Sequence, residues 1–308
     1  MKLPFLHALR TAFPQAHITY LAGSGKTAFT TILAPQVAGL IDAVIEDADI
    51  GPAQWSPLSP RPLPNQRFDL VIDTQRRVRA TVALRRIRHR IFVSSAVGWL
   101  LSDRAPPSGR RKREAVLSQL FALVEAASGQ PVVPNPATIA VDAATEAEAR
   151  RLLPDRDDKR LYVGIAPGAG GRRKRWPLDR FLAVGEHLDA AGYVPVVLLG
   201  PDERAWIDQV RARLPRCELP LPEKPSLQLT VAIGRRLAGA IANDSGIGHL
   251  LATAAVPLVS LFGPTKAEKF PPLAPRLITI RAQDFGGETM DRIPLDAVEG
   301  AILSLLKT

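Results

Sequence analysis

The chain has 308 residues, 46% hydrophobic and 23% charged, a composition that predicts two folded domains of roughly 150 residues each and excludes extended disorder. It has no run of the roughly 20 apolar residues that a spanning helix requires, no signal-peptide core at its start and a single cysteine, Cys217, so we expect a cytoplasmic protein without an internal disulfide. The formal net charge of +10 favours an anionic partner, whether an acidic substrate, an acidic membrane surface or nucleic acid.

In the first half, short apolar runs alternate with helical patterns, which is typical of a parallel sheet built from βαβ units. The predicted elements are, in chain order, a strand from Ala16 to Leu21, a helix from Ala28 to Leu40, strands from Ala43 to Ile45 and from Asp69 to Thr74, a helix from Val78 to Arg86 and a strand from Arg90 to Val93. Proline-rich stretches interrupt this order at Pro52 to Pro64 and at Pro131 to Pro136. Two arginine-rich runs, at 85–90 and 110–113, are interpreted as solvated surface.

A predicted helix from Glu146 to Leu153 and the polar turn after it mark the predicted domain boundary, which separates residues 1–154 from residues 155–308. The second domain then has a strand from Leu161 to Ala166, a glycine-rich loop, a helix from Leu178 to Ala191, a strand from Tyr193 to Leu199 and a helix from about Arg204. We therefore predict an α/β protein of two doubly wound, Rossmann-like domains with a cleft between them.

The first candidate site element is the glycine-rich loop that follows the predicted strand Leu161 to Ala166. It contains Gly168, Ala169 and Gly170, and four cations follow, Arg172 to Arg175. Glycines let the backbone approach a ligand closely, and the amides and dipole of the next helix favour an anion. A tight turn with a basic surface is the alternative interpretation, but loop, cations and helix start together favour a phosphate or diphosphate.

The second element is a polar cluster, Asn243 to His249, which lies between an apolar run and a predicted helix. Asp244 or Ser245 is expected to cap that helix and to leave its first amides for phosphate oxygens. His249 lies one turn along. A single histidine in such a place is more often structural, but ligands bind at strand ends of open sheets, so we include it in the candidate site.

Two more loops follow strands that are predicted to end at the same edge. Gly200 to Arg204 contains Asp202 and Glu203, carboxylates that either accept the hydroxyls of a ribose or favour the start of the next helix. Leu261 to Thr265 ends another buried strand. All four loops are expected to converge on one crevice.

The combined pattern of these loops resembles glycosyltransferase family 9, the heptosyltransferases of lipopolysaccharide core assembly. The matching motifs are, in order, Pro167-Gly168-Ala169, Lys174-Arg175-Trp176-Pro177, Asn243-Asp244-Ser245-Gly246 with His249, and Leu261-Phe262-Gly263-Pro264-Thr265. The first half is similar to the family as well, in its first helix, Leu3 to Pro14, and in the run Phe68 to Gln75. Arg76 replaces the family's usual glycine after Gln75.

The resemblance implies a GT-B fold and inverting transfer of heptose from an ADP-activated donor to a lipid-linked oligosaccharide, with peripheral contact at the inner membrane surface. Carried onto this sequence, it places Lys174 at the diphosphate and Glu203 at the ribose. The diphosphate and sugar end are assigned to Asp244, Ser245, Gly246 and His249. The family binds its acceptor in the first half, where Arg76, Arg77 and Arg79 follow the predicted strand that ends near Asp73 and are the candidate contacts to the acceptor's phosphates or carboxylates.

The developing charge on a diphosphate leaving group has to be neutralised. Lys174, helix amides and His249 are able to do so, and we therefore predict neither a metal nor a cofactor.

The chain differs from the family pattern at its start. The family has a strand and a Gly-Asp loop ahead of its first helix, and that aspartate is the expected base for the acceptor hydroxyl. Here Met1 already lies at the edge of the helix. We expect either that Met1 is an internal methionine taken as the start, or that the chain is a catalytically impaired remnant of the family that binds a nucleotide sugar. Asp73, at the end of another predicted strand, is the candidate substitute base.

Three other classes of protein are disfavoured. Gly23 to Thr27 looks like the end of a P-loop, but the full motif requires a glycine where the sequence has Tyr20, which argues against an ATPase or GTPase. No Gly-x-Gly-x-x-Gly opens a helix, which argues against a nicotinamide-dependent dehydrogenase. Only 6% of the residues are aromatic and no known reader motif accompanies the arginines, which argues against nucleic acid as the partner.

Overall fold

The computed structural model describes residues 2–23, 25–48, 50, 56, 58–109, 115–133, 139–223 and 225–307. The chain divides into two compact units, Met1–Ala137 (unit 1) and Thr138–Thr308 (unit 2). Parts of both proline-rich stretches, at 51–55 and 134–136, and the arginine-rich run at 110–113 lie outside the described residues.

Unit 1 alternates helices with short strands, as the sequence predicts. The elements are α1 (Lys2–Ala12), β1 (Thr19–Leu21), α2 (Ala34–Val37), β2 (Ala43–Ile45), β3 (Arg67–Asp73), α3 (Val78–Arg85), β4 (Arg88–Ser94) and α4 (Val116–Ser128). α1 packs against α4 in an apolar core that includes Phe5, Leu6 and Leu123.

The predicted helix from Ala28 to Leu40 is wrong. In its place the structure has a 3₁₀ turn at Ala28–Thr30 and then the single helical turn α2. Pro35, in the first turn of α2, has no amide hydrogen to donate, and its ring clashes with the carbonyl of any preceding helical turn. The β-branched residues just before it also lower the helix propensity.

The strands of unit 1 form two separate parallel pairs. Thr19 of β1 lies opposite Ala43 of β2, and Asp73 of β3 lies opposite Ser94 of β4. A cavity of about 1310 Å³ lies beside them, lined by consecutive residues of β1 and of β3 together with residues of α1 and α3. Successive side chains of a strand point to opposite faces of the sheet, so a cavity lined by consecutive residues lies along the backbone edge of the strand. Within the described residues, the second edges of β1 and β3 have no strand partner.

Unit 2 is built on one five-stranded sheet, in which all neighbouring strands are parallel and the order is β6-β5-β7-β8-β9. Its elements are α5 (Ala143–Leu152), β5 (Tyr162–Ala166), α6 (Leu178–Ala190), β6 (Val194–Val197), α7 (Ile207–Arg213), α8 (Leu227–Gly234), β7 (Leu237–Asn243), α9 (Gly246–Thr253), β8 (Leu258–Phe262), β9 (Leu277–Arg281) and α10 (Leu295–Leu306). Every residue of β5, β6 and β8 is buried, as parallel strands covered on both faces require.

The division between the units falls at residues 137 and 138, ahead of the boundary predicted after residue 154. The reason is that α5 belongs with unit 2. It packs against α8, and Glu146 of α5 forms an ion pair with Arg235 at the end of α8. These contacts join residues far apart in the sequence, so the polar turn after α5 lies inside unit 2.

Candidate functional site

The site in unit 2 starts from the carboxyl ends of neighbouring parallel strands, where ligands bind in open α/β sheets. β5 and β7 are neighbours, and the fully buried Asn243 ends β7. Its side-chain amide donates to the Pro167 carbonyl at 2.8 Å, and its side-chain oxygen accepts from the Trp176 amide at 3.1 Å. Asn243 therefore fixes the glycine-rich loop after β5 against the end of β7.

Lys174 and Asp244 are brought together across this edge. The Lys174 ammonium, on the 3₁₀ turn Arg172–Lys174, lies 2.7 Å from a carboxylate oxygen of Asp244. The Asp244 side chain is 8% exposed and that of Lys174 is 40% exposed. A nearly buried carboxylate is thus neutralised by a cation that solvent, or a ligand, can still reach.

The N-terminus of α9 lies directly after this pair. Ser245 is its cap, because its hydroxyl accepts from the Gly248 amide at 3.5 Å; of the two cap candidates, Asp244 pairs with Lys174 instead. Gly246 is exposed, and a side chain added there would meet open space. The first-turn amides of α9 therefore face a region that an anion can enter.

His249 lies one turn into α9 and is half-buried. Burial lowers the pKa of its imidazole, while the nearby Asp244 carboxylate opposes that shift. His249 is accordingly neutral near pH 7 and able to donate or accept a hydrogen bond.

Glu203 is held at a second point of the same edge, on the 3₁₀ helix Pro201–Trp206 after β6. It is buried, with 6% of its surface exposed. A Cβ atom added to Gly168 would lie 2.7 Å from the Glu203 carboxyl carbon, and one added to Gly200 would lie 2.8 Å from Oε2. At both glycines the backbone thus lies closer to the Glu203 carboxylate than a residue with a Cβ atom would allow in this arrangement. Asp202, its neighbour, is exposed.

Other predicted site residues of unit 2 differ in their surroundings. Gly168 and Ala169 are buried, whereas Gly170 is exposed in front of open space. Gly263, in the loop after β8, packs against Met290, and its carbonyl accepts from Gln283 at 2.7 Å. That contact gives the fourth loop a packing role at this position.

Asp73 in unit 1 is fully buried at the end of β3. Its carboxylate accepts from the hydroxyls of Thr81 at 2.5 Å and Ser94 at 2.8 Å, and from the Gln75 amide at 2.7 Å. Three donors satisfy one carboxylate, and this arrangement serves to join β3, β4 and α3.

The predicted acceptor-side arginines lie in unit 1, just after β3, and all three are exposed. Arg76 adopts a left-handed backbone with φ of 61°, a conformation that favours glycine, and its guanidinium donates to the Gln119 side chain at 2.6 Å. Arg77 and Arg79 line the unit 1 cavity.

The loop that looks like the end of a P-loop has carboxylate partners of its own. The Gly25 amide donates to Asp47 at 2.6 Å and the Thr27 amide donates to Glu46 at 2.8 Å. Because acidic side chains already take these two amides, the loop is not arranged to receive a phosphate.

Arg175 and Asn243 lie within the quoted motifs, but the sequence predicts no individual contact for either. Asn243 joins the ends of two strands, and Arg175 reaches Glu203 in another loop; no local spacing in the sequence signals such contacts. Over the described ranges, no group of acidic, histidine and cysteine side chains is arranged to hold a metal ion. In the same part of the chain, no helix has both the length and the apolar character that crossing a membrane requires.

The two parallel α/β units are those of a GT-B fold, which the solved heptosyltransferases described below share. The sequence profile of glycosyltransferase family 9 (heptosyltransferase) matches residues 60–292, and the chain belongs to this family. The family resemblance and the α/β fold predicted from the sequence are thereby confirmed.

Individual relatives agree with this assignment. The lipooligosaccharide heptosyltransferase 2 of Haemophilus influenzae is 30% identical over 129 residues, 40% of this chain and 37% of that protein. The matched stretches span less than half the length of the curated relatives.

Solved structures extend the similarity of fold to nearly the whole chain. The family 9 glycosyl transferase of Veillonella parvula has a TM-score of 0.72 at 20% identity, covering 99% of this chain and 93% of that one. The E. coli heptosyltransferase WaaC with ADP has a TM-score of 0.64 at 18% identity, covering 99% and 95%. At these identities the likeness concerns the fold alone.

Proposed function

We propose that the chain is an inverting glycosyltransferase that transfers heptose from an ADP-activated donor to a lipopolysaccharide core acceptor. Family membership supports the class of reaction, and two solved neighbours hold ADP and ADP-2-deoxy-2-fluoro heptose. The observation that carries the proposal is the gathering of Lys174, Asp244 and Glu203 at one edge of the unit 2 sheet.

The diphosphate is assigned to the most basic and open part of this edge. Lys174 supplies a reachable cation, the α9 amides at Gly246 supply donors, and the loop at Gly168, Ala169 and Gly170 gives close backbone approach. As the glycosidic bond breaks, negative charge grows on the diphosphate, and fixed donors that face it lower the barrier. Lys174 and the helix amides supply the compensating positive charge, so the proposed reaction does not require a metal.

The remaining polar groups are assigned by their chemistry. A carboxylate next to a diphosphate would repel it, so Asp244, kept neutralised by Lys174, suits the hydroxyls of the sugar. Ser245 and the neutral His249 lie beside it as hydrogen-bonding groups. Glu203, buried between glycine backbones, suits the hydroxyls of the ribose.

The acceptor is assigned to unit 1. Arg77 and Arg79 are exposed and line its cavity, and we assign them to the phosphates of a lipid-linked oligosaccharide. Arg76, which donates to Gln119, lies next to them in the chain. The net charge of +10 of the chain would favour peripheral contact with an anionic inner membrane surface.

A second candidate function is binding of a nucleotide sugar without transfer. The observation that favours it is the environment of Asp73, whose carboxylate is buried and satisfied by three donors and so is poorly placed to take a proton from an acceptor.

Calorimetry with ADP, GDP and UDP, followed by a transfer assay with ADP-heptose and a lipid A core acceptor, separates these possibilities. Preference for ADP together with transfer supports the enzyme. Preference for ADP without transfer supports the second candidate, and equal affinity for the three nucleotides contradicts the donor assignment.

A further inference from the structure

Arg175 makes three contacts that tie parts of the candidate site together. Its Nη2 lies 3.3 Å from Oε1 of Glu203, and its Nε donates to the Ala169 carbonyl at 3.0 Å. Its guanidinium also lies over the Trp206 ring, 5.3 Å from the ring centre. One side chain thus connects the glycine-rich loop with the 3₁₀ helix that carries Glu203.

The surroundings of Glu203 explain why such a partner is required. Its carboxylate is packed on the backbone of Gly168 and Gly200, so it has no room to shift toward either. A buried carboxylate without a cation is costly and tends to turn toward water. Arg175 holds Oε1, which leaves Oε2 as the acceptor for a ligand hydroxyl.

We propose that Arg175 is a positioning residue that holds the Glu203 carboxylate in place and aims it at the ribose hydroxyls of the bound nucleotide. This inference rests on the proposed function of the site. Arg175 itself does not contact the ribose; its effect passes through Glu203. The planar fork of a guanidinium reaches a carboxylate and a carbonyl at once and stacks on an aromatic ring, whereas the point charge of a lysine does not reproduce all three contacts.

The test compares the affinities of ADP and of 2′,3′-dideoxy-ADP, which lacks the ribose hydroxyls. A hydrogen bond from a hydroxyl to a charged, buried acceptor corresponds to a ratio of roughly 10- to 100-fold in the wild-type protein. In Arg175→Met we expect this ratio to fall below about threefold, because the Glu203 carboxylate is no longer held. A residue with only a structural role would weaken both ligands equally and leave the ratio unchanged.

Two further variants make the comparison sharp. Arg172→Met removes an exposed cation of the same loop and should keep the wild-type ratio. Arg175→Lys keeps the charge and should give an intermediate ratio; it also carries the test alone if melting curves reveal that Arg175→Met is unfolded.

The outcomes separate this inference from the proposed function. An unchanged ratio in the Arg175 variants overturns the positioning role, while ADP binding keeps the donor assignment. If the wild-type protein binds ADP and 2′,3′-dideoxy-ADP equally well, the positioning role is overturned as well. Absence of ADP binding in the wild-type protein refutes the proposed function, and the inference with it.

Discussion

Replacing Lys174 with methionine should weaken ADP binding roughly 10- to 50-fold. Methionine keeps much of the length of the side chain and removes only the charge and the donors. A hydrogen bond between charged groups typically contributes about 1.5 to 3 kcal/mol. Because the Lys174 side chain is 40% exposed, solvent screens part of this attraction and the lower half of the range is expected.

The loss has a second source, which the structure allows to be measured separately. The Lys174→Met variant leaves Asp244 with an unpaired charge at 8% exposure, and that carboxylate then repels a diphosphate. In the double variant Lys174→Met/Asp244→Asn the repulsion is gone. Its ADP affinity should lie between those of the single Lys174 variant and the wild-type protein.

The assay is calorimetry with ADP at low and at moderate salt, and the matched control is Arg173→Met. Arg173 is an exposed cation one residue away with no assigned contact to the site. It should change the affinity less than about threefold, as surface charges do. Equal losses at both positions would mean a diffuse basic surface and would refute the specific role of Lys174.

Three further predictions concern other residues. Burial lowers the pKa of His249, so the unfolded chain binds more protons in mildly acid solution, and the stability that depends on a neutral His249 should be lost as the pH falls from about 6.5 toward the folded pKa. Between pH 7.5 and 5.5, the free energy of unfolding in urea should decrease less for His249→Asn than for the wild-type protein, and equal decreases would contradict this reasoning. Asp73→Ala removes the acceptor of the buried Thr81 and Ser94 hydroxyls and of the Gln75 amide, and it should lower the free energy of unfolding by at least about 2 kcal/mol without changing ADP affinity. Loss of transfer at unchanged stability would instead indicate a base. Ala255→Gly should raise the free energy of unfolding by about 0.5 to 1 kcal/mol, because Ala255 has a φ of 60° that glycine adopts without strain. A melting temperature lower than that of the wild-type protein would count against this reasoning.

The first strand and helix of the unit 2 sheet were predictable from the sequence because their signals are local, whereas the helix predicted from about Arg204 begins as the 3₁₀ helix Pro201–Trp206. β5 and α6 begin or end within one residue of the predicted bounds. Each has a continuous apolar run or a clear helical pattern, and glycine or proline lies at its ends. In unit 1 the helical pattern from Ala28 to Leu40 predicted a helix that the structure does not have, because the effect of Pro35 on backbone geometry outweighs hydrophobic periodicity.

The contacts of the site were less predictable, because they join residues distant in the sequence. The motif places Lys174 and Asp244 in the same site, but their direct ion pair depends on the neighbouring positions of β5 and β7. The pair formed by Arg175 and Glu203 depends likewise on how two loops pack. The boundary between the units was displaced for the same reason, since the packing of α5 on α8 is not encoded in either segment alone.

The small sheets of unit 1 affect how ligand binding should be detected. Two-stranded sheets are marginally stable, so unit 1 is expected to melt at a lower temperature than unit 2, whose sheet has five strands. A ligand of unit 2 stabilises the folded form of unit 2 by mass action. A melting screen for ADP should therefore follow the unfolding of unit 2 itself. Cys217 offers a direct reporter: it is the only cysteine of the chain, it packs against the core of unit 2, and burial raises the pKa of its thiol to about 11, so labelling by a thiol reagent marks the unfolding of the unit assigned to the nucleotide.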